Sequence, residues 1–120
     1  MKISSINIVH IIEFSYLFHP QIQGVFYNEA RRVSVRFDSE SVRKFCNANG
    51  LSLIFRAHQV PMDGLELFAG GRLVTVFSAC GYEGQRNKAA LLEVSKRMCV
   101  RAKLIDPTSA SQSSNIQILG

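Results

Sequence analysis

Three features of this 120-residue sequence predict an α+β fold, rich in strands and with one main helix. Val33-Ser34-Val35-Arg36-Phe37 alternates apolar and polar residues, the two-residue period of a half-buried strand. The stretch 39–49 carries a capping residue before it, an apolar stripe along it and a glycine behind it. Beyond it, runs of β-type residues are separated by turn-forming pairs, Gly70-Gly71 above all.

Each element has a local cause. Asp38 or Ser39 can cap the helix, because a short side-chain oxygen accepts from the unpaired amides of the first turn. Val42, Phe45 and Cys46 fall at i, i+3 and i+4, one apolar stripe, and Gly50 offers the left-handed stop. Leu51 to Phe55 is a short β-type run. Leu65–Phe68 and Leu73–Phe77 flank Gly70-Gly71, which suits the positive φ angles of a tight hairpin. A second pair is predicted at Ala89–Val94 and Met98–Ile105, turning around Ser95-Lys96.

These elements define three zones. Residues 1–20 are apolar and aromatic; His10 and Glu13 interrupt them and no small-x-small cleavage site follows, which argues against a secretory leader. A short strand or helix packed on another element is expected there. Residues 21–105 form the folded body. Residues 106–120, rich in Ser, Gln and Asn, are expected to be a flexible polar tail, since they bury little apolar surface on ordering.

The chain is 47% hydrophobic and 19% charged, which excludes collagen-like and wholly disordered chains. No apolar run approaches 18 residues, so no membrane span is expected. Cys46, Cys80 and Cys99 are odd in number and form no CxxC pair, against a disulfide scaffold and a zinc knuckle. That pattern suits a reducing compartment, with cytoplasmic or nuclear residence expected. Of the 14 Lys and Arg, 13 lie between Arg31 and Lys103. A basic stretch attracts phosphate, nucleic acid or acidic partners. Nucleic acid is the weakest of these, because the eight Phe and three Tyr mostly sit in apolar runs rather than among arginines.

Three histidines are present. His10 and His19 lie in the apolar first zone without a neighbouring acid and read as structural. His58 ends the apolar run Leu53-Ile54-Phe55 and precedes a turn with Pro61, Asp63 and Gly64. A histidine so placed can be held rigidly with its ring toward a cleft. On the residues alone, a satisfied histidine at a strand end is the plainer reading.

The segment Leu53-Ile54-Phe55-Arg56-Ala57-His58-Gln59-Val60-Pro61-Met62-Asp63-Gly64 resembles the "LI-x-RAHQ-V-x-x-DG" stretch of the phosphoprotein phosphatases. These are metal-dependent serine/threonine protein phosphatases related to types 1 and 2A. The resemblance continues through Leu67-Phe68-Ala69 and Leu73-Val74-Thr75-Val76-Phe77-Ser78-Ala79 to Tyr82 and Gly84, where the family reads "FSAPNYCG". Upstream, Asn28-Glu29-Ala30-Arg31-Arg32-Val33-Ser34 is similar to "N-x-x-RG-V-S". About residues 16–105 are covered, matching the C-terminal third of a family catalytic domain.

The resemblance implies a partial metallophosphatase-like β-sandwich flanked by helices. It implies that His58 is one ligand of a two-metal centre of manganese, iron or zinc, a role that suits a neutral imidazole. Two such ions can hold a hydroxide and clamp a phosphate for in-line attack. It also implies that Arg31 grips the substrate phosphate through its planar guanidinium and that Tyr82 overhangs the same site. The sequence departs from the family at three places: Arg32 replaces a glycine, Cys80-Gly81 a Pro-Asn pair, and Glu83 a cysteine.

The family's motifs GDxHG, GDxxDRG and GNHE do not occur here. One imidazole cannot hold a dinuclear centre. The expected function is therefore phosphoserine and phosphothreonine hydrolysis by inheritance, with little or no activity from this chain alone. Phosphoprotein substrates and phosphatase regulatory subunits are the expected partners. The alternative is a non-catalytic module that binds those regulators or substrates.

Overall fold

The computed structural model describes residues 7–10, 24–29, 32, 35–108 and 113–119. The chain forms two compact units, residues 1–58 with 67–74 and residues 59–66 with 75–120. The secondary structure is α+β, as the sequence predicts.

The first unit is built on the predicted helix. Asp38, in extended backbone, accepts a hydrogen bond from the Ser41 amide at 2.7 Å through Oδ1 and opens α1 (Ser39–Asn49). Gly50, at φ 62°, closes it in the left-handed conformation that a side chain would disfavour. Val42 and Cys46 are buried, but Phe45 is 46% exposed, so the stripe is narrower than expected. The helix runs directly into β4 (Leu51–Arg56), whose Leu51, Leu53 and Ile54 are buried. Strand β1 (Asn7–His10) runs parallel to β4. Parallel neighbours need a long crossover, and the chain between them provides it. The apolar first zone thus contains a strand, one of its two expected forms.

Within that crossover, β2 (Val25–Tyr27) and β3 (Val35–Phe37) pair antiparallel, with Phe26 opposite Arg36. Strands β5 (Leu65–Phe68) and β6 (Leu73–Val76) complete the sheet order β1-β4-β6-β5. Between them Ala69, Gly70 and Gly71 all have positive φ, and the Gly71 amide donates to the Phe68 carbonyl at 3.1 Å. The glycine pair therefore turns the hairpin as predicted, with Ala69 sharing its left-handed geometry. Val42, Cys46, Leu51, Ile54, Ala69 and Leu73 form one core, lined by Phe37 and Phe68. Those two rings lie 6.2 Å apart.

The second unit carries an antiparallel sheet, β7-β8-β9. In β8 (Val100–Ile105), buried Val100 and Ala102 alternate with exposed Arg101 and Lys103. The turn from β7 (Ala89–Val94) is closed by Ser95 and Cys99, the Ser95 amide donating to the Cys99 carbonyl at 2.9 Å. Met98, expected in the strand, takes φ 61° and belongs to the turn. Strand β8 accordingly starts at Val100.

The segment 106–120, expected to be a loose tail, contains β9 (Ser113–Leu119), antiparallel to β8 with Ala102 opposite Ile116. Composition misled here because a strand's ladder bonds come from the backbone, whatever the side chains. The alternation Ile116-Gln117-Ile118 is also too short to stand out beside the Ser and Gln around it.

Candidate functional site

The RAHQ segment leaves β4 in a defined way. Arg56 is buried, and its guanidinium donates to the Ala57 carbonyl from Nε at 3.3 Å and from Nη2 at 3.0 Å. That fork fixes the end of the strand. His58 then takes φ 66°, a left-handed angle rare for a side chain larger than glycine. The chain turns there and leaves the imidazole exposed at the strand end. His58 belongs to the first unit.

The rest of the segment belongs to the second unit. The Gly64 amide donates to the Pro61 carbonyl at 3.0 Å, forming the turn that the Pro-Met-Asp-Gly sequence suggests. The Lys88 amide reaches the Met62 carbonyl at 2.9 Å. Lys88 Nζ lies 3.5 Å from Asp63 and 3.7 Å from Asp106. Thr108 holds the Asp106 carboxyl below its ordinary range, its hydroxyl and amide donating to Oδ1 at 2.6 and 2.9 Å; Lys88 adds to the effect.

Tyr82 opens a short 3-10 turn, Tyr82–Gly84, and is 41% exposed. Its ring meets Phe77 edge to face, with centroids 5.1 Å apart. Glu83 follows at φ 49° and is exposed, a carboxylate in the turn that the resemblance associates with phosphate. Behind the turn sits Asn87, with no exposed surface. Its Oδ1 accepts from the Tyr82 amide at 2.8 Å, and its Nδ2 donates to the Ala79 carbonyl at 2.7 Å and the Lys88 carbonyl at 3.0 Å. The Gly81 amide completes the set by donating to the Asn87 carbonyl at 3.0 Å. The loop is thus tied at both ends even though Cys80-Gly81 replaces the stiffer Pro-Asn of the family. Asn87 was missed in the sequence; a polar residue in a polar loop breaks no pattern, and only its position just before a buried strand start hints at it.

Arg31 lies outside the described residues. His58 belongs to the first unit and Tyr82 to the second. Among the described residues, no three of His, Cys, Asp and Glu come together as a metal-holding group. The side chains described do not, by themselves, make the ligand set of a two-metal centre, and no reaction step through a metal is derived from them. Among the described residues, no helix is long and apolar enough to cross a membrane.

No family model matches the chain. In structure it resembles a protein serine/threonine phosphatase from Saccharomyces cerevisiae, itself described as similar to human phosphatase PP5. The TM-score is 0.61 at 22% identity, over 79% of this chain and 33% of that one. The fold is therefore that of part of a metallophosphatase-like α+β domain. In sequence the chain is 37% identical over 115 residues to the serine/threonine-protein phosphatase BSL2 of Arabidopsis thaliana. That match takes in 95% of this chain and 11% of the length of BSL2. With the RAHQ-to-FSA segment, it places the chain with the phosphoprotein phosphatase family, as a segment of the catalytic domain.

Proposed function

We propose that this chain supplies one part of a serine/threonine phosphatase site, one that hydrolyses phosphoserine and phosphothreonine with two metal ions. His58 is the metal ligand it contributes, and Arg31 and Tyr82 are its contacts to the substrate phosphate. Manganese, iron and zinc are the metals that suit an imidazole ligand. The observation that carries this reading is the exposed position of His58 at the end of buried β4, within a RAHQ segment that resembles the family's. A ring sealed in the core could not reach a metal. By the ligand count, the chain alone has little or no turnover. Phosphoproteins in the cytoplasm or nucleus are the proposed substrates.

The test is a manganese titration of the purified chain followed by NMR. Selective broadening of the His58 ring signals, lost in His58→Ala, is the expected result. Broadening spread over surface carboxylates with His58 untouched would overturn the assignment. A phosphopeptide assay on the same sample should show little or no turnover, and metal-stimulated hydrolysis would contradict the ligand count.

A second reading, a non-catalytic module that engages phosphatase regulatory subunits, is favoured by Val25, Phe26 and Tyr27. These three consecutive side chains on β2 are each more than half exposed. Binding to a purified regulatory subunit, weakened by Phe26→Ser and unaffected by His58→Ala, would favour it over the first.

A further inference from the structure

We infer that Asn87 is the positioning residue of the Tyr82 loop, setting where the phenol of Tyr82 is presented to a phosphate. The phosphate half rests on the reading of Tyr82 proposed above; the anchoring half rests on geometry alone. A primary amide offers two donors and an acceptor, and Asn87 uses all three on backbone groups that start, turn and end one loop. Its orientation is determined by those partners. A flipped amide would set its NH2 against the Tyr82 amide and its oxygen against two carbonyls. The side chain is completely buried, so each lost bond leaves a polar backbone group without water to replace it.

Besides the Asn87 side chain, the loop is tied by the Gly81 amide to the Asn87 carbonyl, 3.0 Å, and by the weak Cys80 Sγ contact to the Ile105 carbonyl, 3.6 Å. Tyr82, Glu83 and the residues around them are exposed, and Glu83 is in a left-handed conformation that a side chain resists. The Gly84 amide to the Gly81 carbonyl, 3.3 Å, and the Gln85 amide to the Tyr82 carbonyl, 3.0 Å, are bonds internal to the turn. They shape it but do not fasten it to the sheet. Asn87, two residues before β7, supplies three side-chain bonds to that fastening, one of them to the Tyr82 amide itself, and so directs the Tyr82 ring onto Phe77.

The experiment uses NMR on the full chain. Phe77 lies edge to face with Tyr82, so the Tyr82 ring signals report its placement directly. In Asn87→Ala these signals should move to free-tyrosine positions and the Phe77–Tyr82 cross-relaxation should vanish, while cross-strand contacts of β7, β8 and β9 persist. Unchanged ring signals would overturn the inference. Should the sheet itself be lost in that variant, amide exchange in the unaltered chain decides. The Tyr82 amide is expected to be protected by its buried acceptor, and exchange at the rate of the exposed loop amides would overturn the role. Asn87→Asp keeps the acceptor for Tyr82 but loses both donors. It should retain Tyr82 amide protection and release the Ala79 end.

Inorganic phosphate is the probe for the second half. Phosphate-induced shifts of the Tyr82 ring should weaken by about tenfold in apparent affinity in Asn87→Ala. If the unaltered chain shows no such shifts while the anchoring results hold, the phosphate role of Tyr82 is lost and Asn87 stands as an anchor.

Discussion

A methyl group on Gly64 would lie 2.5 Å from the carbonyl carbon of Ala89. It would also lie 2.7 Å from the Ala89 oxygen and 2.9 Å from the Ala90 nitrogen. All three are backbone atoms at the buried start of β7, and none can move aside alone. Gly64 itself takes φ 80°, and its carbonyl accepts from the Phe77 amide at 2.9 Å. The Asp-Gly that ends the RAHQ segment is therefore a packing requirement as well as a turn.

Gly64→Ala combines left-handed strain with overlap against backbone, and should destabilise the chain by roughly 3 kcal/mol. Gly70→Ala is the control. Gly70 also has positive φ but nothing within 4 Å of an added methyl, so about 1 kcal/mol of backbone strain is all that is expected. Urea midpoints of the two variants measure the difference. Equal losses would show that the Gly64–Ala89 approach carries no energetic weight.

Legibility in the sequence followed how local each cause was. Helix α1 was readable, with only the choice between Asp38 and Ser39 as its cap left open, because the cap, the Val42–Cys46 stripe and Gly50 each act within one turn of themselves. The β5–β6 hairpin was readable for the same reason. Exposure of Phe45 was not, since a stripe says which side faces the core but not how wide the facing surface is. Strand β9 and the loop contacts of Asn87 have partners near in sequence, but both rest on backbone groups, and neither leaves a periodic trace. His58 stands out in the sequence through its motif; its exposure and its left-handed φ of 66° are not written there.

Acid should act on the helix start. Hydrogen bonds from Ser41, and from the Gly24 amide at 2.8 Å to Oδ2, lower the Asp38 carboxyl from 3.8 to about 2. A depressed carboxyl contributes stability above its unfolded value and loses it as pH falls through its folded value. The contribution of Asp38 should therefore be complete above pH 3.8 and disappear as pH falls toward about 2. Asp38→Asn keeps a capping oxygen but does not titrate, so thermal melts of this variant should show a shallower loss over that window. An identical acid limb in both proteins would remove Asp38 from the account.

The thiols should differ sharply. Cys46 has no exposed surface, and burial raises its pKa, with Arg72 opposing weakly. It stays a neutral thiol in the core, and the thiolate is the reactive form. Cys80 is exposed, its Sγ 3.6 Å from the Ile105 carbonyl. Iodoacetamide near neutral pH should modify Cys80 first and leave Cys46 untouched until urea unfolds the first unit, as peptide mass mapping would record. Early modification of Cys46 in the folded chain would mean that the α1–β4 core opens far more readily than its packing implies.

Strand β9 covers one edge of β8, and that edge should be exposed if β9 is removed. Along β8, Arg101, Ala102, Lys103, Leu104 and Ile105 each have a β9 residue opposite in the antiparallel ladder. An uncovered edge presents a row of unpaired amides and carbonyls that another chain can complete. The exposed apolar residues Leu91, Val94 and Ile105 of the same sheet would favour such pairing. A chain ending at Thr108 should therefore unfold at lower urea and associate at concentrations where the full chain does not, as light scattering and sedimentation would report. A third cation on the newly free edge, beside Arg101 and Lys103, should reverse the association. Ala102→Lys is unsuitable because Ala102 is buried; Leu104→Lys, at a half-buried position, is the better choice. Restored solubility of the truncated chain carrying Leu104→Lys would tie the association to the β8 edge. A truncated chain as stable and as monomeric as the parent would mean that β9 adds no cover that β8 needs.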